Sequence, residues 1–285
     1  MVSATAGRVE RPVMYHHWSD ITFIHWRYPP ELVQAFLPDG LTVDTYEGAA
    51  YVGLTPFLMR GVRAPGLPPL PGLSRFPETN VRTYARDARG RGGLWFLSLD
   101  AGNLPAVLGA RAAYGLPYYW SDMSVTGEGA RRRYRCARRW PDPSGARCDA
   151  DVDLGAVLSE AERDGLADFL VERYRLFTVV AGRLVTAQVE HPRWPLHRAR
   201  VSGLTQGLLE AAGLPAPDHD PLVHASPGVP VRVGMWRPAD RQRTAASSRS
   251  AARIPFSVSG ASTRGQWPAL PPGAGQARGS SKRSR

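Results

Sequence analysis

No run of eighteen apolar residues occurs in the 285-residue chain, so the sequence offers no membrane-spanning helix. Residues 1–11 lack the apolar segment of a secretory signal, and the chain reads as cytoplasmic with no membrane partner. Cysteine is scarce. Cys136 and Cys148 are too few for a disulfide scaffold or a four-cysteine zinc site, and in a cytoplasmic chain two free thiols are expected. Lysine is scarcer: of 36 basic residues one is a lysine, Lys282, beside the C-terminus. Schiff-base catalysis, P-loop phosphate binding and pyridoxal-phosphate attachment all use a lysine, so none is expected in the folded part. H-E-x-x-H and paired helical histidines are absent, which argues against a metal site. G-x-S-x-G is absent too, and Gly90-Arg91-Gly92-Gly93 is a turn with no helix behind it, not a dinucleotide fingerprint. The sequence calls for no cofactor.

What is present begins with 43% apolar residues, enough for a sizeable core. The net charge of +11 is unevenly spread. Residues 236–285 hold ten Lys/Arg and one acid, Asp240, which leaves only +2 for residues 1–235. Nucleic-acid tracking needs clustered charge on the domain itself, so a nucleic-acid partner is not expected. Arg131, Arg132, Arg133, Arg135, Arg138 and Arg139 form one basic run, read as an exposed hairpin edge guarded by charge.

Residues 1–13 read as a loose arm and 236–285 as a disordered tail rich in Ser, Arg and Pro, flanking one domain over 14–235. Within it, alternation over Trp18–Trp26 predicts a first strand, followed by a short helix over Glu31–Phe36. Further strands are expected at Leu41–Tyr46, Ala49–Leu58, Glu78–Arg86, Leu94–Asp100, Ser121–Glu128, Ala130–Trp140, Ala146–Leu154, Phe177–Val180, Arg183–Glu190 and Val229–Met235. Helices are expected at Pro105–Tyr114, Ser159–Tyr174 and Leu204–Ala212. Residues 61–77, with five prolines and three glycines, form a long loop of the kind often used as a lid. Regular βαβ alternation is missing. The fold class is therefore α+β, mainly antiparallel β with a few helices beside a curved sheet or barrel.

Two segments could carry chemistry. In Glu78-Thr79-Asn80-Val81-Arg82-Thr83-Tyr84 strand alternation puts Glu78, Asn80, Arg82 and Tyr84 on one face. Such a row is either a solvated outer face or the lining of a wet cavity; if buried, the carboxylate and guanidinium need partners. In Arg111 to Tyr119, a helix end, a Gly and a Pro deliver Tyr118 and Tyr119 to the start of a strand. These tyrosines either pack or present a phenol at a cavity mouth.

Phe23-Ile24-His25-Trp26, Leu37-Pro38-Asp39-Gly40-Leu41, Tyr46 to Leu54, Glu78 to Tyr84, Arg111 to Tyr118 and Phe169 to Tyr174, in that order, resemble the YqjF-like family, a domain of unknown function. That family is similar to a distant branch of the acetoacetate-decarboxylase superfamily. The resemblance covers about residues 14–235 and implies a cone-shaped β-barrel around a small-molecule cavity, with the Glu78 row facing inward. It aligns Tyr118 with the Schiff-base lysine of the decarboxylases. A phenol cannot form an imine, so imine decarboxylation is not expected. Two functions follow from this reading. One is binding of a small anionic or keto ligand, with Arg82 or Arg111 holding it and Asn80, Tyr84, Tyr119 and His25 completing the set. The other is non-covalent acid–base catalysis on a small oxo-acid, as a lyase, hydratase or isomerase, with Glu78 and Tyr118 as catalytic groups. A homo-oligomer is compatible with either.

Overall fold

The computed structural model describes residues 8–239. Its elements are β1 (Pro12–Tyr28), α1 (Pro30–Gln34), β2 (Leu41–Val43), β3 (Ala50–Arg63), β4 (Arg75–Asp87), β5 (Gly92–Ala101), α2 (Leu104–Tyr114), β6 (Tyr118–Glu128), β7 (Arg131–Trp140), β8 (Arg147–Val157), α3 (Gly165–Val171), β9 (Arg175–Val180), β10 (Arg183–Glu190), β11 (His197–Gln206), α4 (Leu208–Ala211), β12 (Leu222–Gly234) and β13 (Arg237–Pro238). Strand pairing is antiparallel except where β5 meets β6 and β9. The order β5-β6-β7-β8-β11-β12-β1-β3-β4 closes on itself through β4–β5 into a nine-strand barrel. The mainly antiparallel barrel expected from the sequence is thus the fold observed.

The wall formed by β12, β1, β3, β4 and β5 is used twice. Near its C-terminal end β12 leaves β11 and pairs with β10. At its N-terminal end β5 pairs with β9 instead of β6. The same wall therefore also closes a smaller ring through β9 and β10. Two cores result, one on each face of the wall. The first holds Ile24, Val52, Val81, Tyr134 and Val152, draws on all nine barrel strands, and is covered by Val33 of α1 and Leu208 and Leu209 of α4. The second holds Phe23, Phe57, Phe76 and Val231, and α3 inserts Ala167 and Leu170 into it.

One irregularity sets which side chains of β1 reach that second core. Trp18 and Ile21 both pack there although they are three positions apart, an offset that strict alternation would place on opposite faces. Asp20, at φ 48°, is the extra residue that makes this possible, at a register shift against β3 between Ser19 and Ile24. Its carboxylate is held by Arg60 and Arg132 at 3.2 and 3.0 Å.

The structure departs from the sequence reading in several places. β11 was not expected: Ala199 and Val201 are small, and Leu204, which also packs inward, follows a register shift and reads as the start of the helix expected over Leu204–Ala212, which is confined to Leu208–Ala211. The helix expected over Ser159–Tyr174 is confined to Gly165–Val171. Ser159 instead turns onto Glu162, Asp164 caps the helix by accepting from the Ala167 amide at 2.6 Å, and Arg163 is drawn inward to Asp168 and Glu172. The arginine run is not a sheet edge, because β7 lies between β6 and β8. Arg131, Arg133 and Arg135 each pair with the aspartate opposite on β8, namely Asp153, Asp151 and Asp149. Arg138 points the other way, into the barrel. Residues 64–74 remain a loop, but strand pairing takes both ends of the expected segment. Paired structure also runs slightly past 236, where the Ala239 amide donates to the Leu184 carbonyl. Residues 1–7 and 240–285, where most of the arm and tail expectation falls, lie outside the described residues. Cys136 and Cys148 face each other across β7 and β8 as buried free thiols.

Candidate functional site

Three rows of side chains cross the shared wall on its second-core face. Glu78 lies beside Phe57 and Ala101; Asn80 beside Thr55 and Leu99; Arg82 beside Gly53 and Phe96, with His25 next to Gly53. Glu78 is 2% exposed, Asn80 and Arg82 6%, and Tyr84 0%. The solvated alternative for this face is therefore excluded. Gly53 is required by close approach, since a Cβ there would lie 2.8 Å from His25 Nε2.

Glu78 and Tyr118 form one group. Helix α2 ends at Gly115 in the left-handed region, at φ 61°, where a side chain would strike the Val179 carbonyl. The chain then turns through Pro117 and presents the Tyr118 hydroxyl, which donates to Glu78 Oε2 at 3.1 Å. Burial raises the Glu78 carboxyl to about 8, against the opposing hydrogen bonds from Tyr118 and Asn80; the charge of Asp100 adds to the rise. Burial, and then the Glu78 charge, push the Tyr118 phenol well above its ordinary value. At neutral pH this site holds a protonated carboxylic acid.

A second group surrounds Arg82. His25 Nε2 lies 2.7 Å from the Tyr84 hydroxyl, which donates to the Leu170 carbonyl at 2.7 Å. Arg82 Nη2 reaches the same carbonyl at 3.4 Å, and the guanidinium lies over the Phe23 ring. No carboxylate pairs with Arg82 among the described residues, and its Nε has no partner. Asn80 Oδ1, Thr55 Oγ1 and His25 Nδ1 are likewise buried and unpartnered.

Two expected site residues stand elsewhere. Arg111 is exposed; it donates to the Tyr118 carbonyl at 2.6 Å and covers the Trp140 ring, so it holds the Tyr118 backbone from outside. Tyr119, next in a strand after Tyr118, points to the opposite face. There it stacks on Arg138, whose ion pair with Asp100 at 2.7 Å is completely buried in the barrel. Arg173 and Asp44 were missed. Their ion pair at 2.9 Å places Arg173 over Tyr84 and Phe169, joining two segments 129 residues apart in sequence, and no local pattern encodes it. A cleft of about 760 Å³ opens elsewhere, lined by Arg60, Arg63 and Arg232 among others, and contains none of the expected site residues. Its arginines are exposed, and Arg60 and Arg232 pair with Asp20 and Glu190, unlike Arg82.

Residues 15–230 match the DUF2071 family of uncharacterized conserved proteins. The chain belongs to that family. A relative in it, the uncharacterized protein YqjF of Bacillus subtilis (strain 168), is 36% identical over 212 residues, covering 74% of this chain and 86% of the relative. Solved structures of similar fold include the enduracididine biosynthesis enzyme MppR in complex with pyruvate, at TM-score 0.57 and 14% identity, over 83% of this chain and 93% of that one. An acetoacetate decarboxylase-like enzyme from Sphingomonas wittichii RW1 gives TM-score 0.57 at 13% identity, over 84% and 97%. The DUF2071 chain thus has the acetoacetate-decarboxylase-like barrel fold. Among its described residues no helix is long and apolar enough to cross a membrane.

Proposed function

We propose that the face around Glu78 and Arg82 binds a small keto compound bearing a carboxylate. The observation that carries this is Arg82, a buried cation with no counter-ion. A buried charge left unpaired is costly, and a planar guanidinium is complemented by a carboxylate. The MppR neighbour is complexed with pyruvate, a keto compound that bears a carboxylate. Titration calorimetry with pyruvate and acetoacetate tests the reading: saturable binding lost in Arg82→Gln supports it, and equal heats in the two proteins refute it.

The raised Glu78 carboxyl favours a further step, acid–base catalysis. A neutral Glu78 beside the Tyr118 hydroxyl can give its proton to a ligand carbonyl oxygen, and the carboxylate so formed can take a proton from the neighbouring carbon, so that the ligand becomes its enol and Glu78 is protonated again. NMR of bound pyruvate in D2O should then show methyl exchange that collapses in Glu78→Gln. In Tyr118→Phe exchange should fall with affinity nearly intact if its proton is used, and affinity alone should fall modestly if it only donates a hydrogen bond. Imine chemistry is not part of the proposal, since residues 14–235 contain no lysine. Borohydride reduction with acetoacetate should leave those residues unmodified by intact mass.

A further inference from the structure

The hydrogen-bond pattern at Tyr84 specifies the tautomer of His25. Tyr84 has one hydroxyl hydrogen and two neighbours at 2.7 Å, the Leu170 carbonyl and His25 Nε2. A carbonyl only accepts, so the hydroxyl hydrogen goes to Leu170 and His25 donates from Nε2. Burial, reinforced by Arg82, His224 and Arg173, keeps the imidazole neutral. Its Nδ1 is therefore a bare lone pair, buried, with no donor aimed at it. Asn80 repeats the situation. Its amide is hydrogen-bonded to Glu78, and its Oδ1 is an acceptor without a donor. Strand register sets the two in adjacent rows of one face, His25-Gly53-Arg82 and Thr55-Asn80, rows about 7 Å apart along the strands, with β3 lying between the two residues.

Pyruvate offers acceptors only. It would answer Arg82 and leave both of these acceptors unpartnered in a buried place, which costs free energy. The complement of this face is an anion that also donates. Resting on the oxo-acid reading above, we propose that the ligand is a hydroxylated small oxo-acid, with its carboxylate on Arg82 and its hydroxyl donating to His25 Nδ1. His25 is then the residue that sets specificity.

Titration calorimetry on the full chain at pH 7 with 3-hydroxypyruvate and pyruvate tests this. The hydroxylated acid should bind at least about tenfold tighter, a preference that vanishes in His25→Phe while Arg82→Gln weakens both acids. Equal affinity for the two acids, still sensitive to Arg82→Gln, overturns the hydroxyl assignment and leaves the oxo-acid reading standing. Binding of neither acid overturns both. Because His25 is buried and its replacement can disturb folding, the tautomer is also read in the unaltered protein by nitrogen-15 NMR. A proton on Nε2, with an Nδ1 resonance that moves when 3-hydroxypyruvate is added, supports the proposal. A proton on Nδ1 overturns it.

Discussion

Glu78 carries its consequences into the pH dependence of stability. Burial pushes its carboxyl up to about 8 in the folded protein, against its ordinary value of 4.5. Between these values the folded state holds a proton that the unfolded state has released. The stability this contributes is complete below about pH 4.5 and is lost as pH rises through about 8. The full loss is on the order of 5 kcal/mol. Denaturant titrations from pH 5 to 9 should show it, and Glu78→Gln should flatten the curve and be more stable than the parent at pH 8.5. Arg82 makes a second case. Replacing a buried, unpaired cation by an apolar side chain of similar length removes a desolvation cost, so Arg82→Met should raise the melting temperature while abolishing carboxylate binding. A fall in melting temperature would mean that Arg82 is satisfied by the protein itself.

At the scale of elements, β1 is the strand on which the arrangement turns. Side chains before and after Asp20 share the second core because Asp20 adds one residue. Deleting Asp20 should restore strict alternation and turn His16 and Trp18 out of that core, with Trp18 leaving its stack on Trp194 at 5.9 Å. Losing a tryptophan from a core typically costs about 3–5 kcal/mol. Tryptophan fluorescence should shift to the red and the denaturation midpoint should fall. Asp20→Gly keeps the residue count and a backbone suited to positive φ, so it should cost far less. The sequence alternates plainly from Trp18 to Trp26, so the strand was legible there. The bulge was not, because a bulge is defined by the partner strand.

For the whole molecule, the shared wall separates two buried polar systems. On the barrel side Arg138 and Asp100 form a fully buried ion pair, with Ser121 donating to Asp100 at 2.7 Å. Arg138→Met should leave Asp100 buried and unpaired at a cost of about 3–5 kcal/mol, and the double variant with Asp100→Leu should recover much of it. On the other side lie Glu78 and the histidines. His16 is lowered to about 3 by burial, then by His17, so its contribution is present above its ordinary value of 6.5 and is lost as pH falls toward 3. Together with Glu78 this bounds stability on both sides. Thermal denaturation across pH 4–9 should trace a maximum at or below about pH 6.5, because above the ordinary histidine value only the Glu78 loss remains, and Glu78→Gln should move that maximum upward.

The sequence by itself determined the class of the fold and marked out the polar row proposed as the site. Period-two alternation marks strands wherever the inward residues are large, and the Glu78, Asn80, Arg82, Tyr84 row is readable because alternation needs no partner. The near absence of lysine is the ground on which imine chemistry stays outside the proposal. Which side of the row is buried was left open by the pattern, since polar rows line surfaces as well as cavities. Tertiary structure decided that, by laying α3 over the row and closing β9 and β10 around it. It also separated Tyr118 from Tyr119 and drew Arg111 to the outside, consequences of strand parity and of a helix end that sequence spacing places only approximately. The bare lone pair on His25 belongs to the structure alone, because it follows from the Leu170 carbonyl, 145 residues away in the chain.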